Sequence, residues 1–149
     1  MEMFIPVHRF LSGGIQISPD TDSRFYDAAS GYKYNHLTLM GFSLTHLSGT
    51  GIPDLGDFLF IPGTGEMKLE PGTHEDPDQG YRSRYSHDKE WASPNYYAVE
   101  LADYGVKAEM TSGVRSGMFR FTYPESDNAF IMIDMNHTLW QSCEWSNLR

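Results

Sequence analysis

Cysteine is nearly absent: Cys143 is the single one in 149 residues, so no intrachain disulfide framework holds the chain together. A lone thiol in such a sequence reads as a buried, inert side chain rather than a reactive group. Positive charge is scarce, with 11 Lys and Arg against 20 Asp and Glu and a formal net charge of -9. No basic cluster offsets this, so a phosphate backbone would be repelled and nucleic acid is excluded as a partner. No apolar run approaches the length that spans a bilayer, so no membrane partner is expected. The opening MEMFIPVHRF lacks the basic start and apolar core of a signal peptide, which leaves the compartment open. Long helical stretches are missing too, because 14 Gly and 8 Pro punctuate the sequence.

Familiar catalytic signatures also fail. GTGIPDLGD lacks the Lys-Ser/Thr ending of a phosphate loop. GVRSG places Ser116 wrongly for a nucleophile elbow. His74-Glu75 begins like a zinc-protease helix, but Pro77 disturbs it and Asp78 stands where the second histidine belongs. The six histidines include no pair at i, i+4, so metal ligation from one helix face is not indicated. Twenty acidic residues make carboxylate pairs easy to draw, Asp54 with Asp57 or Asp88 with Glu90. Capping turns is the plainer role for them.

What is present is apolar and aromatic: 40% hydrophobic residues, with nine Phe, nine Tyr and three Trp. That suffices for one domain with a real core. The runs are short and alternate with period two, as half-buried strands do. NYYAVEL puts Tyr97, Val99 and Leu101 on one face. VKAEMT puts Val106, Ala108 and Met110 inside and Lys107, Glu109 and Thr111 outside. FRFTY opposes Phe119, Phe121 and Tyr123 to Arg120 and Thr122. GGIQIS and DFLFIP read as further strands, and AFIMIDM as one packed on both faces. Asp103–Gly105 marks a hairpin, and Ser112–Gly117 the next turn. The fold expected is all-β, an antiparallel β-sandwich, with residues 1–149 as a single domain and a long charged excursion from Glu66 to Glu90.

GFSLTHLSGTG, Gly41 to Gly51, concentrates glycine, hydroxyls and one histidine. Glycine permits close approach of backbone to a ligand, and free N–H groups then serve as donors. A neutral, hydroxyl-rich ligand suits such a surface. His46, Ser48, Gly49, Thr50 and Gly51 are therefore the candidate binding residues, with Trp91 or a tyrosine covering an apolar ligand face. The competing role is that His46 ties the loop to its own sandwich, and that Ser86, His87 and Asp88 brace theirs. Asp20 is expected to cap the turn after Ile17-Ser18-Pro19.

ISPDT, GYKY, GFSLTHLSGTG, DLGD, YSHDKEWASPNYYAVEL, DYGVKAEMT and IDMNH occur in this order, from about Arg9 to His137. In this the chain resembles the N-terminal domain of the glycoside hydrolase family 92 α-mannosidases. The resemblance implies a β-sandwich that packs on an (α/α)6 catalytic barrel absent from these 149 residues. It implies an inverting, calcium-dependent exo-α-mannosidase acting on N-glycans or mannan. Calcium and the acid and base would sit on the barrel, leaving no catalytic residue and no metal in this chain. Family members are often secreted or periplasmic. The expected function is thus a non-catalytic sandwich that walls the sugar pocket. The alternative is a stand-alone carbohydrate-binding or assembly module, with self-association through exposed sheet edges or an exposed face.

Overall fold

The computed structural model describes the backbone of residues 2–8 and the whole of residues 15–23, 30–46 and 54–139. Its strands are β1 (Glu2–His8), β2 (Ser18–Asp20), β3 (Thr38–Leu39), β4 (Gly41–Ser43), β5 (Leu59–Thr64), β6 (Ser83–Arg84), β7 (Glu90–Ser93), β8 (Tyr96–Leu101), β9 (Val106–Ser112), β10 (Ser116–Thr122) and β11 (Ala129–Asp134). Every pairing among them is antiparallel. One sheet runs β1-β10-β9-β8-β7, a second runs β11-β5-β4-β2, and β3 pairs β6 apart from both. The fold is an antiparallel sandwich, and β7 through β10 form the meander that the alternating runs announce.

The alternation explains the packing. Val99, Leu101, Val106, Ala108, Met110, Phe119 and Phe121 from the larger sheet are all buried in one cluster with Phe42 and Phe60 from the smaller. Phe42 meets Phe119 and Phe121 at ring-centroid distances of 6.3 and 6.1 Å, and Phe60 meets Phe119 at 5.2 Å. Each ring removed from water contributes roughly 2–3 kcal/mol, which is what joins the two sheets. Gly41 belongs to this construction rather than to a ligand: a Cβ there would lie 2.8 Å from the Phe60 carbonyl oxygen, so only glycine lets β4 lie this close to β5.

Three sequence readings shift. Within GGIQIS the described residues 15–17 have no regular pairing, and the strand begins at Ser18. DFLFIP starts pairing two residues later, at Leu59. The excursion after Thr64 is more than a solvated loop. Its Tyr81 is buried with Met40, Leu59 and Ile61, with Met132 packed against them, so the segment covers the outer face of the smaller sheet with a second cluster. Tyr104 fixes it by donating its hydroxyl to the Tyr81 carbonyl at 3.0 Å. This also explains AFIMIDM: Ala129 and Ile131 face the first cluster while Met132 faces the second.

Candidate functional site

Asp20 ends β2 with its carboxylate fully buried. Three donors meet it there. His46 Nε2 donates to Oδ1 at 2.7 Å, His137 Nε2 to Oδ2 at 2.8 Å, and Ser43 Oγ to Oδ2 at 2.6 Å. The other nitrogen of His46, Nδ1, donates to the Gln16 carbonyl at 2.7 Å. Both ring nitrogens of His46 thus face acceptors, which requires the imidazolium. Burial opposes that charge, but the Asp20 carboxylate outweighs it and raises the His46 pKa. For Asp20, burial pushes upward, yet the charge of His46 and the bonds from both histidines bring its pKa down to about 2. Asp20 is therefore not the turn cap expected from the sequence; it is the acceptor that ties together segments 117 residues apart.

Gly31 closes this group. Its φ is +86°, and a Cβ there would lie 2.0 Å from Asp20 Oδ1 and 2.9 Å from His46 Nε2. Its carbonyl accepts from Thr21 N at 2.6 Å. Thr45, on the far side of His46, accepts from Gly56 N through its carbonyl and donates its hydroxyl to Asp57 Oδ2 at 2.8 Å. Asp54 caps its own turn by accepting from Leu55 N. The pair Asp54 and Asp57 is accordingly spent on turns. Leu55 and Phe58 hold positive φ, 69° and 56°, in the same short connection.

Beside this group a pocket of about 600 Å³ opens where β2 and β7, edges of the two sheets, come together; Pro19, Tyr32, Tyr34, His87, Glu90 and Tyr97 line it, with His46 at its floor. Glu90 is the one carboxylate among the described lining residues. It accepts from Tyr97 Oη at 2.6 Å, from Tyr32 Oη at 3.0 Å and from His87 Nδ1 at 2.5 Å. Burial foremost raises the pKa values of Tyr97 and Tyr32; the bond to Glu90 adds to this for Tyr97, and the bonds to Tyr85 and then Glu90 for Tyr32, so both phenols stay protonated. His87 Nε2 donates to the Tyr34 carbonyl at 2.8 Å, and the Tyr34 ring stacks on the imidazole at 4.0 Å with a 9° tilt. Ser86 caps the short 3-10 turn His87–Lys89 by accepting from Asp88 N, which aims His87 at the pocket. The surface offers flat rings, phenolic oxygens and one carboxylate already engaged by three donors. That chemistry suits a neutral polyhydroxyl ligand.

The sequence-derived residues are not all brought together. His46 lies at the pocket floor with both nitrogens committed to the protein. Trp91 lies on the other side of its sheet: Glu90 and Ala92 pair with the inward-facing Val99 and Tyr97, whereas Trp91 pairs with Ala98 and points outward, 66% exposed. Ser48, Gly49, Thr50 and Gly51, like Cys143, fall outside the described residues. Tyr32, Tyr34 and Tyr97 were not singled out beforehand. Their signal was compositional, four tyrosines in GYKY and NYY, of which only Tyr97 was given a face. Among the described residues no group of His, Cys, Asp and Glu is arranged to hold a metal ion. Asp20, His46 and His137 point at one another rather than at a shared centre, so they do not fit calcium.

The sequence matches the family described as the Glycosyl hydrolase family 92 N-terminal domain over residues 3–149. The chain belongs to this family. Among solved structures it is similar to the family 92 glycosyl hydrolase CcMan5, with 26% identity and a TM-score of 0.68 over 89% of this chain and 18% of that one. It is similar also to the family GH92 inverting mannosidase BT2199 from Bacteroides thetaiotaomicron VPI-5482, with 26% identity and a TM-score of 0.65 over 82% of this chain and 15% of that one. No curated protein matches. The chain thus spans less than a fifth of the length of either family 92 structure.

Proposed function

We propose that this domain is the non-catalytic N-terminal part of an exo-α-mannosidase, and that its pocket walls the site of an α-linked mannose in an N-glycan or mannan. The observation that carries the proposal is Glu90. Inverting hydrolysis takes two carboxyl groups, one to protonate the leaving oxygen and one to activate water, about 6.5–9.5 Å apart. The described pocket offers one, and three donors hold it as an acceptor that orients Tyr32, Tyr97 and His87. A positioning carboxylate of this kind binds a sugar without cleaving it. The acid, the base and the calcium are assigned to a catalytic (α/α)6 domain. His46 supports the pocket from below, and Ser48 to Gly51, in the adjoining segment, remain the proposed backbone and hydroxyl contacts to the sugar. Tyr34, on the pocket wall, and Leu37, three residues further along the chain, are 64% and 59% exposed and are the proposed seat for the catalytic domain. Self-association would use the same apolar rim.

The test has two arms. The purified chain should release no mannose from an aryl α-mannoside, with calcium or without it. Methyl α-mannoside at millimolar concentration should shift the NMR signals of Tyr34 and His87, and His87→Ala should abolish those shifts. Calcium-dependent release of mannose that disappears in Glu90→Gln would overturn the non-catalytic assignment. Unmoved Tyr34 and His87 signals at saturating sugar would overturn the pocket.

A further inference from the structure

The outward position of Trp91 places a second aromatic surface on the opposite side of the larger sheet from the pocket. There Trp91 sits over β8 beside a groove of about 440 Å³, walled by Tyr96 and Ala98 and rimmed by Lys89, Glu100 and Lys107. Register fixes this set: Trp91 pairs with Ala98, Ala98 with Glu109, and Glu100 with Lys107, all on one face of three neighbouring strands. Ala98 leaves the space that the indole overlooks. Tyr96 is locked at its hydroxyl, which donates to Glu109 Oε1 at 2.6 Å. Arg120 holds the same carboxylate through Nε at 2.7 Å and Nη2 at 2.5 Å, and Lys107 adds a contact at 3.2 Å. The Arg120 bonds foremost, against burial, hold the Glu109 pKa down at about 2, so this lattice persists at every ordinary pH.

We propose that this groove is a second carbohydrate-binding surface, separate from the pocket, that takes a neutral oligosaccharide with one ring stacked on Trp91. The charges decide the class of ligand. Lys89 is paired with Glu100 at 2.5 Å, and Lys107 and Arg120 share Glu109, so every charged group at the groove already has a partner of opposite sign. Paired charges still present hydrogen-bonding edges, which suit hydroxyls. A protein partner is disfavoured because the groove sets two aromatic rings, Trp91 and Tyr96, within a charged rim, not the broad apolar centre of a protein interface. Growth of the sheet by a second copy is disfavoured because β7 is a four-residue edge strand closed by Pro94. A sugar has an apolar C–H face for the indole and a hydroxyl rim for the paired charges. The groove holds no free carboxylate pair for cleavage, so its role is to retain a chain. The proposal does not depend on the pocket reading.

The experiment is isothermal titration calorimetry of the 149-residue chain with α-1,6-mannopentaose, maltopentaose and a sulfated oligosaccharide. Variants are Trp91→Ala, Trp91→Tyr and Glu90→Gln. Trp91 is exposed, so its variants should keep the wild-type circular dichroism and melting temperature. A neutral oligosaccharide should bind saturably; Trp91→Ala should weaken it by about tenfold or more, about 1.4 kcal/mol, while Trp91→Tyr stays within about threefold. Glu90→Gln should leave that component unchanged, which separates it from the pocket. Unaltered affinity in Trp91→Ala, binding of the sulfated probe alone, or no saturable binding of either neutral probe would each overturn the second surface. Loss confined to Glu90→Gln would overturn it while leaving the pocket standing.

Discussion

Two of the histidine–carboxylate pairs among the described residues put the same chemistry to different uses. His46–Asp20, at 2.7 Å, has side chains 4% and 0% exposed, and every remaining polar atom of the pair meets the protein itself. His87–Glu90, at 2.5 Å, has side chains 25% and 9% exposed and opens onto the pocket through its tyrosine partners. The first pair joins β2, the end of the GFSLTH segment and the segment after β11. The second presents rings and hydroxyls to a ligand. Burial separates the roles: a polar pair removed from water on all sides must be saturated by its own chain, whereas one at a pocket wall can share its donors.

The sharpest way to break the contrast is to force the buried pair apart. Gly31→Ala brings a Cβ against both Asp20 and His46 at a positive φ, so a loss of about 4 kcal/mol or outright misfolding is expected. Urea denaturation, or failure to recover soluble chain, measures it. Asp20→Ala strands the His46 imidazolium and should cost about 3–5 kcal/mol. Glu90→Gln retains a hydrogen-bonding side chain at the pocket and should cost about 1 kcal/mol while weakening sugar binding. Equal losses from the Asp20 and Glu90 changes in parallel melts would erase the distinction.

The pH dependence of stability sharpens it further. The Asp20 pKa is depressed from 3.8 to about 2, so its contribution is present above about pH 4 and is lost as pH falls toward 2. That loss is roughly 2 kcal/mol. The His46 pKa is raised above 6.5, so its contribution is full below that value and is lost as pH rises through the raised one. Denaturation midpoints should therefore be highest between about pH 4 and 6.5, and His46→Gln should flatten the alkaline side. The smallest effect is reserved for the outer face: Trp91→Ala should change stability by less than about 0.5 kcal/mol.

Much of the architecture was readable in advance because the strands of the larger sheet are half-buried, and half-burial imprints a period of two. Val106, Ala108 and Met110, and then Phe119, Phe121 and Tyr123, face inward as their spacing demands. The smaller sheet was harder to read. Its strands are short, and β5 packs on both sides once the excursion covers it, so alternation fades. At the candidate site, the histidine of GFSLTH stood out, but its partners did not. Asp20, Gly31 and His137 are distant in sequence, and nothing local marks a carboxylate as buried.

Composition and alternation by themselves pointed to an all-β fold of antiparallel strands, and the ordered motifs pointed to family 92. Only tertiary structure decided which side of a strand meets which cavity. It turned Glu90 toward the pocket and Trp91 away from it, and joined Asp20 to His137 across 117 residues. The reason is that sequence period reports local geometry, whereas the pairing of polar groups is settled by which segments exclude water from one another.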